Sequence, residues 1–172
     1  MTTILLARHG ETDWNRERRW QGHAPTPLNE HGRAQARALA ERLSTGQLDA
    51  VYSSDLPRAF ETAEIVAAVH GLEPMAEPGL REIDVGSRQG LTAADFDGLD
   101  WDGESQEAHR GRVLAAVWRM AARHPKGRLL AITHGGSLCR VQEVVLGEPL
   151  DVLDNCGVWG VVFQEGAFTP LD

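Results

Sequence analysis

Thr3-Ile4-Leu5-Leu6-Ala7-Arg8-His9-Gly10-Glu11-Thr12 opens on a short apolar run and closes on a loop of polar, chemically active side chains. Thr3–Ala7 is too short to span a membrane and no basic region precedes it as in a signal peptide, so it reads as a buried strand. Short apolar runs recur at Ala50–Ser53, Arg128–Thr133 and Val158–Gln164, and they read as strands as well. Between them the period becomes helical. Glu30–Leu43 sets Ala36, Leu39, Ala40 and Leu43 on one face, with Asn29 placed to cap it. Asp55 is expected to cap a second helix running to His70, with Pro57 in its first turn and Gly71 stopping it. Gln106–His124 carries Leu114, Val117, Trp118 and Ala121 at core spacing, and a fourth helix is expected from near Gly136 to Gly147. This alternation predicts a three-layer α/β/α sandwich around a mostly parallel central sheet. Ligands of such sheets bind beyond the carboxyl ends of the strands. His9 and His134 each follow the end of an expected strand by one or two residues.

The chain of 172 residues is expected to form one domain over 1–172, large enough to bury roughly 70% of its unfolded surface. It has no internal repeat, low-complexity tract or domain-separating linker. Apolar residues at 42% and charged residues at 24% fit a soluble globular protein with no membrane partner. The net charge of −8 argues against a nucleic-acid partner, because phosphate backbones select basic surfaces. A small phosphorylated substrate needs only a local positive pocket. Cys139 and Cys156 form neither a CxxC pair nor a disulfide framework, and Cys139 reads as a small core residue. A reducing cytoplasm is therefore the expected location.

Three stretches carry the chemistry. Arg8-His9-Gly10-Glu11-Thr12 follows the first strand, and Thr133-His134-Gly135-Gly136 follows another and opens a helix. Their glycines permit close backbone approach, and a helix start offers free N–H groups to an anion. Arg58, in Ser53-Ser54-Asp55-Leu56-Pro57-Arg58-Ala59, again lies just beyond a strand. Two converging arginines match phosphate oxygens with planar forks of donors, and an imidazole between them is an activated nucleophile.

These stretches, extended through Asp13-Trp14-Asn15 and Phe60-Glu61-Thr62-Ala63, resemble the histidine phosphatase superfamily, which includes the cofactor-dependent phosphoglycerate mutases. Gln21-Gly22 with Pro27-Leu28, and Gly103-Glu104-Ser105 before a long helix, are similar to family segments. The resemblance implies a phosphoglycerate mutase-like fold and a phosphohistidine intermediate on His9. Arg8, Arg58 and His134 are expected around the phosphoryl group, with Asn15 near the same phosphate and Gln21, Gly22 and Gly135 among the substrate-binding residues. Glu82 matches the position of the general acid, although Asp84, two residues on, is an alternative. Arg81 and Arg88 are further candidates for the mouth, and Trp14 and Trp20 are expected to pack near the nucleophile loop. His23, His31, His70, His109 and His124 fall to surface or capping roles, and Trp118 to the core.

No HExxH, HxH or paired cysteine ligand set points to a metal, and neither GxxxxGK[ST] nor GxGxxG points to a nucleotide, so no cofactor is expected. Mutases of the family carry an Arg-His-Tyr-Gly segment after the acid, where this chain has Ile83-Asp84-Val85-Gly86. The stretch from Gly86 to Gly103 leaves room only for a small cap. Both departures favour water as the final acceptor and a phosphatase acting on a small phosphomonoester. A phosphoglycerate mutase and a non-catalytic phosphoester-binding domain are the alternatives, and a homodimer is left open.

Overall fold

The run at the head of the chain forms β1 (Thr2–Arg8), every residue of which is buried or half-buried. The structure, a computed structural model, describes residues 1–96, 98–148 and 151–171. Among these, β2 (Ala50–Ser53), β4 (Arg128–Thr133) and β5 (Val158–Gln164) have the limits expected from the sequence. Two short strands, β3 (Pro74–Ala76) and β6 (Ala167–Pro170), were not anticipated. All six form one sheet in the order β3-β2-β4-β1-β5-β6. The first four positions are parallel, and β5 and β6 run antiparallel beside β1.

Helices α2 (Glu30–Leu43), α3 (Pro57–Ala68), α4 (Gln106–Arg123) and α5 (Gly135–Leu146) cover the two faces, and a single turn, α1 (Asp13–Arg16), follows β1. Alternation along each strand divides the core. Ile4, Leu6, Leu129 and Ala131 pack with Val113, Val117 and Met120 of α4 and Leu138 and Val141 of α5. Leu5, Ala7, Leu130 and Ile132 pack with Ala36 and Leu39 of α2 and Ala63 and Val66 of α3. A period of two on strands feeding a period of 3.6 on helices thus yields three layers. No helix among the described residues is long and apolar enough to cross a membrane.

Two local expectations are corrected. Asp55 does not cap α3: Leu56 is the N-cap residue without a side-chain bond, Pro57 occupies the first turn, and the Asp55 carboxylate is gripped by Arg81. Trp118 is 46% exposed rather than core, and it meets Phe163 and Phe168 edge-on beside β5 and β6. By contrast, Asn29 caps α2 as expected by accepting from Gly32 N–H, and Gly147 ends α5 in the left-handed conformation.

Register sets the place of the chemistry. Arg8 is aligned with Thr133 across the β1–β4 pair, and Ser53 with Ile132 across β2–β4. His9, Ser54 and His134 therefore leave the carboxyl ends of three neighbouring parallel strands at one height.

Candidate active site

His9 is 3% exposed, and its Nδ1 lies 2.7 Å from the Gly10 carbonyl oxygen, which can only accept. Nδ1 therefore carries the ring proton and Nε2 the lone pair, to which Arg58 Nε–H donates at 3.3 Å. Burial, reinforced by the Arg58 cation and opposed by the Gly10 bond, holds the His9 pKa well below the usual imidazole value. The ring is neutral at neutral pH, as a nitrogen nucleophile requires. Gly10 makes the loop possible, since a Cβ there would lie 2.5 Å from the carbonyl oxygen of Gly32 at the start of α2.

Arg58 is 1% exposed in the first turn of α3. Its Nη1 donates to Ala24 O at 2.9 Å and Thr26 Oγ1 at 3.3 Å, and Nη2 donates to Gly22 O at 2.8 Å. Four of its five N–H groups are thereby placed, which leaves one Nη2 proton for a ligand. Burial lowers its pKa to about 10, so it remains a cation at neutral pH. Arg8 donates from Nη1 to Leu153 O at 2.7 Å, and its buried Nε has no partner among the described residues. Burial lowers the Arg8 pKa as well, against the opposing pull of Glu82 and Asp154.

Neutral donors complete the wall. Asn15 closes a capping box with Thr12, so its Oδ1 is committed to Thr12 N–H at 3.1 Å and its Nδ2 donor is turned the other way. Gln21 Oε1 accepts from both Thr12 and Thr26 hydroxyls, which likewise leaves its Nε2 as the available group. Gly135 and Gly136 begin α5, whose dipole favours an anion at this end, although the Gly136 N–H is already given to Glu82 Oε2.

The Glu82 side chain, 17% exposed, is held at both oxygens. Oε1 accepts from Ile83 N–H and Oε2 from Gly136 N–H, each at 2.9 Å. Arg112 fixes the backbone behind it by donating to the carbonyls of Gly79, Arg81 and Glu82 while pairing through two nitrogens with Glu104. Asp84, with its side chain half exposed, accepts from Gly86 N–H and lies 4.0 Å from His23 instead.

These groups converge on a cavity of about 370 Å³. Of the nine residues expected at the site, all but His134 line it. His134 stands behind His9, fully buried, with ring centroids 5.1 Å apart, its Nε2 2.8 Å from Ser54 Oγ and its Nδ1 without a partner among the described residues. Burial and Arg58 depress its pKa strongly. Arg19, Trp20, Ile83, Val85 and Val152 also line the cavity, and of these the three aliphatic residues were not anticipated there. Arg81 and Arg88 do not line it. Arg81 pairs with Asp55, and Arg88 lies over the rings of Phe96 and Trp101, where with Trp20 it consolidates the small cap.

One buried polar residue escaped the sequence reading. His109 is 1% exposed, not on the surface, with Nε2 2.9 Å from Ser137 Oγ and 3.7 Å from Glu82 Oε1. Its signal was its spacing: His109, Val113, Ala116 and Met120 form one buried stripe of α4.

A neutral imidazole lone pair, fixed cationic and neutral donors around it, and a carboxyl at the rim suit in-line phosphoryl transfer. The family model for the histidine phosphatase superfamily (branch 1) matches residues 4–171. Phosphoglycerate mutase-like protein 4 of Arabidopsis thaliana is 42% identical over 159 residues, covering 81% of this chain and 69% of that protein. Among solved structures, Bacillus stearothermophilus YhfR superposes with a TM-score of 0.90 at 33% identity, over 99% of this chain and 95% of that one. A mycobacterial glucosyl-3-phosphoglycerate phosphatase superposes with a TM-score of 0.87 at 28% identity, over 97% and 95%. By fold, by the order of its motifs and by these matches, the chain belongs to the histidine phosphatase superfamily.

Proposed function

We propose that the protein is a metal-independent phosphomonoester hydrolase for small phosphorylated metabolites, working through a phosphohistidine on His9 with Glu82 as general acid and base. The observation that carries this reading is the 3.3 Å contact of Arg58 Nε–H with His9 Nε2 in a cavity that also holds the Glu82 carboxyl. A bound phosphoryl oxygen takes over that N–H and frees the lone pair toward phosphorus. Arg8, Asn15, Gln21 and the start of α5 hold the remaining oxygens, while His134 backs the His9 ring from behind.

In the first step the Nε2–P bond forms and the P–O bond to the leaving group breaks. Glu82 gives its proton to the departing oxygen, and Nδ1–H stays on the Gly10 carbonyl. In the second step water attacks phosphorus and passes a proton to the Glu82 carboxylate. The N–P bond breaks, the lone pair returns to His9, and phosphate leaves. Glu82 suits the acid role better than Asp84 because it lines the cavity, whereas Asp84 faces Gly86 and His23.

The name of the Arabidopsis thaliana relative favours a mutase as the second reading. Against it, Ile83 and Val85 offer apolar surface where a grip on a second acidic group is needed. The test is phosphate release from p-nitrophenyl phosphate and a panel of metabolite phosphates, with chelator present, for wild type and His9→Ala. Chelator-resistant release that disappears in the variant, with acid-labile phosphate trapped on the wild-type chain, is expected. Isomerisation of phosphoglycerate without net phosphate release supports the mutase, and release that survives His9→Ala rules out the nucleophile.

A further inference from the structure

Ser137 Oγ donates its single proton to Arg81 O at 2.8 Å, so toward His109 it can only accept. His109 Nε2 therefore carries a hydrogen. With that hydrogen on Ser137 Oγ, the Nε2 atom lies 3.7 Å from Glu82 Oε1, an oxygen already bonded to Ile83 N–H, whereas among the described residues Oε2 accepts from Gly136 N–H. We propose that His109 is a positioning residue for Glu82: its buried Nε2–H end, anchored on Ser137, sets positive potential beside Oε1 and so keeps the transferable proton of the carboxyl on Oε2. The proposal rests on the reading of Glu82 as the acid.

The polarity of the arrangement matters because His109 has to stay neutral. The charged groups facing the ring are Glu82, Glu104 ahead of α4, Arg112 on α4 and Arg140 on α5. Burial outweighs the two carboxylates and lowers its pKa. A doubly protonated ring beside Oε1 would hold Glu82 as carboxylate and deprive it of the proton it must donate. Leaving groups that need protonation should then fail at acid pH before those that do not.

The test is single-turnover formation of the phosphoenzyme across alkyl and aryl phosphates of graded leaving-group pKa. Wild type should show a shallow dependence on leaving group and Glu82→Gln a steep one. His109→Leu should lower the alkyl-to-aryl rate ratio roughly 10- to 100-fold, within the range of general acid effects. His109→Gln, whose amide N–H still reaches Ser137, should restore the ratio. A buried histidine that only fills space would lower both rates together, so an unchanged ratio in His109→Leu overturns the proposal. Should that variant not fold, His109→Asn, one methylene too short, is compared with His109→Gln, and equal ratios overturn it. If Glu82→Gln leaves the dependence shallow, the acid assignment itself fails and this proposal with it. If Glu82→Gln steepens it and His109→Leu does not, only the role of His109 is lost.

Discussion

Single residues divide here into those that hold the chain and those that hold the reacting groups, and two glycines separate the classes. A Cβ on Gly136 would lie 2.5 Å from Glu82 Oε1, the end of a side chain that can swing away. A Cβ on Gly10 would meet the Gly32 carbonyl at the same 2.5 Å, and backbone in the first turn of a helix cannot yield cheaply. Gly136→Ala should therefore fold with near-native stability while losing alkyl phosphate turnover. Gly10→Ala should cost about 1–3 kcal/mol, the usual penalty of overpacking. Urea unfolding alongside turnover checks both, and a destabilised Gly136→Ala with intact turnover contradicts the placement of Glu82. Glu82→Gln should slow alkyl phosphates by roughly 100- to 10,000-fold, the scale of a general acid, and p-nitrophenyl phosphate far less. Equal losses on both substrates remove Glu82 from that role. His9, Arg58 and Glu82 were legible because each sits in a stretch that reads as a unit. His109 was not, because its meaning lies in what α5 and the Glu82 loop bring against it across the fold.

Elements carry the site by their ends. The side chain of Asn29 accepts from Gly32 N–H at the start of α2 and donates to Glu11 Oε1 at 2.9 Å, so one residue ties the helix to the loop that carries His9. Asn29→Ala should cost about 1 kcal/mol, as expected for a lost N-cap, measured as a fall in urea midpoint with unchanged m-value. It should also raise the substrate KM by loosening the loop, and an unchanged midpoint would show that the cap contributes nothing. Central strands and their flanking helices were legible in the sequence because burial on both faces writes apolar runs and helical stripes. The outer strands were not: β3 is three residues long and three of the four residues of β6 are exposed, and neither buries enough surface to leave a pattern. Asp55 reads as a cap by type, yet the stronger attraction of Arg81 claimed it. Trp118 has core spacing, but α4 turns that edge of its stripe toward the strands at the border of the sheet, where the packing stops.

At the scale of the whole molecule, the buried imidazoles make stability depend on pH. His9 and His134 both have pKa values pushed well below the unfolded value by burial, with Arg58 adding to the effect, and His109 is shifted the same way. Between the folded values and about 6.5, the unfolded chain binds more protons than the folded one, so stability rises with pH in that window. Folding free energy is therefore fully available above pH about 6.5 and is lost as pH falls toward the folded values. Each such imidazole contributes at most about 1.4 kcal/mol per pH unit, so His9 and His134 together reach about 2.7 kcal/mol per unit. Asp55, lowered mainly by its bond from Arg81, acts in the same direction only near its own lower range, below pH about 4. Urea unfolding at closely spaced pH values from 7.5 to about 5 separates the two windows. The expected curve is flat above neutrality and falls below pH about 6.5. His134→Gln should make the fall shallower by about one proton, since a residue that cannot be charged adds no slope. A flat profile down to pH about 5, or a slope unaltered by His134→Gln, would mean that these rings accept protons in place, and the neutral nucleophile inferred for His9 would lose its physical basis.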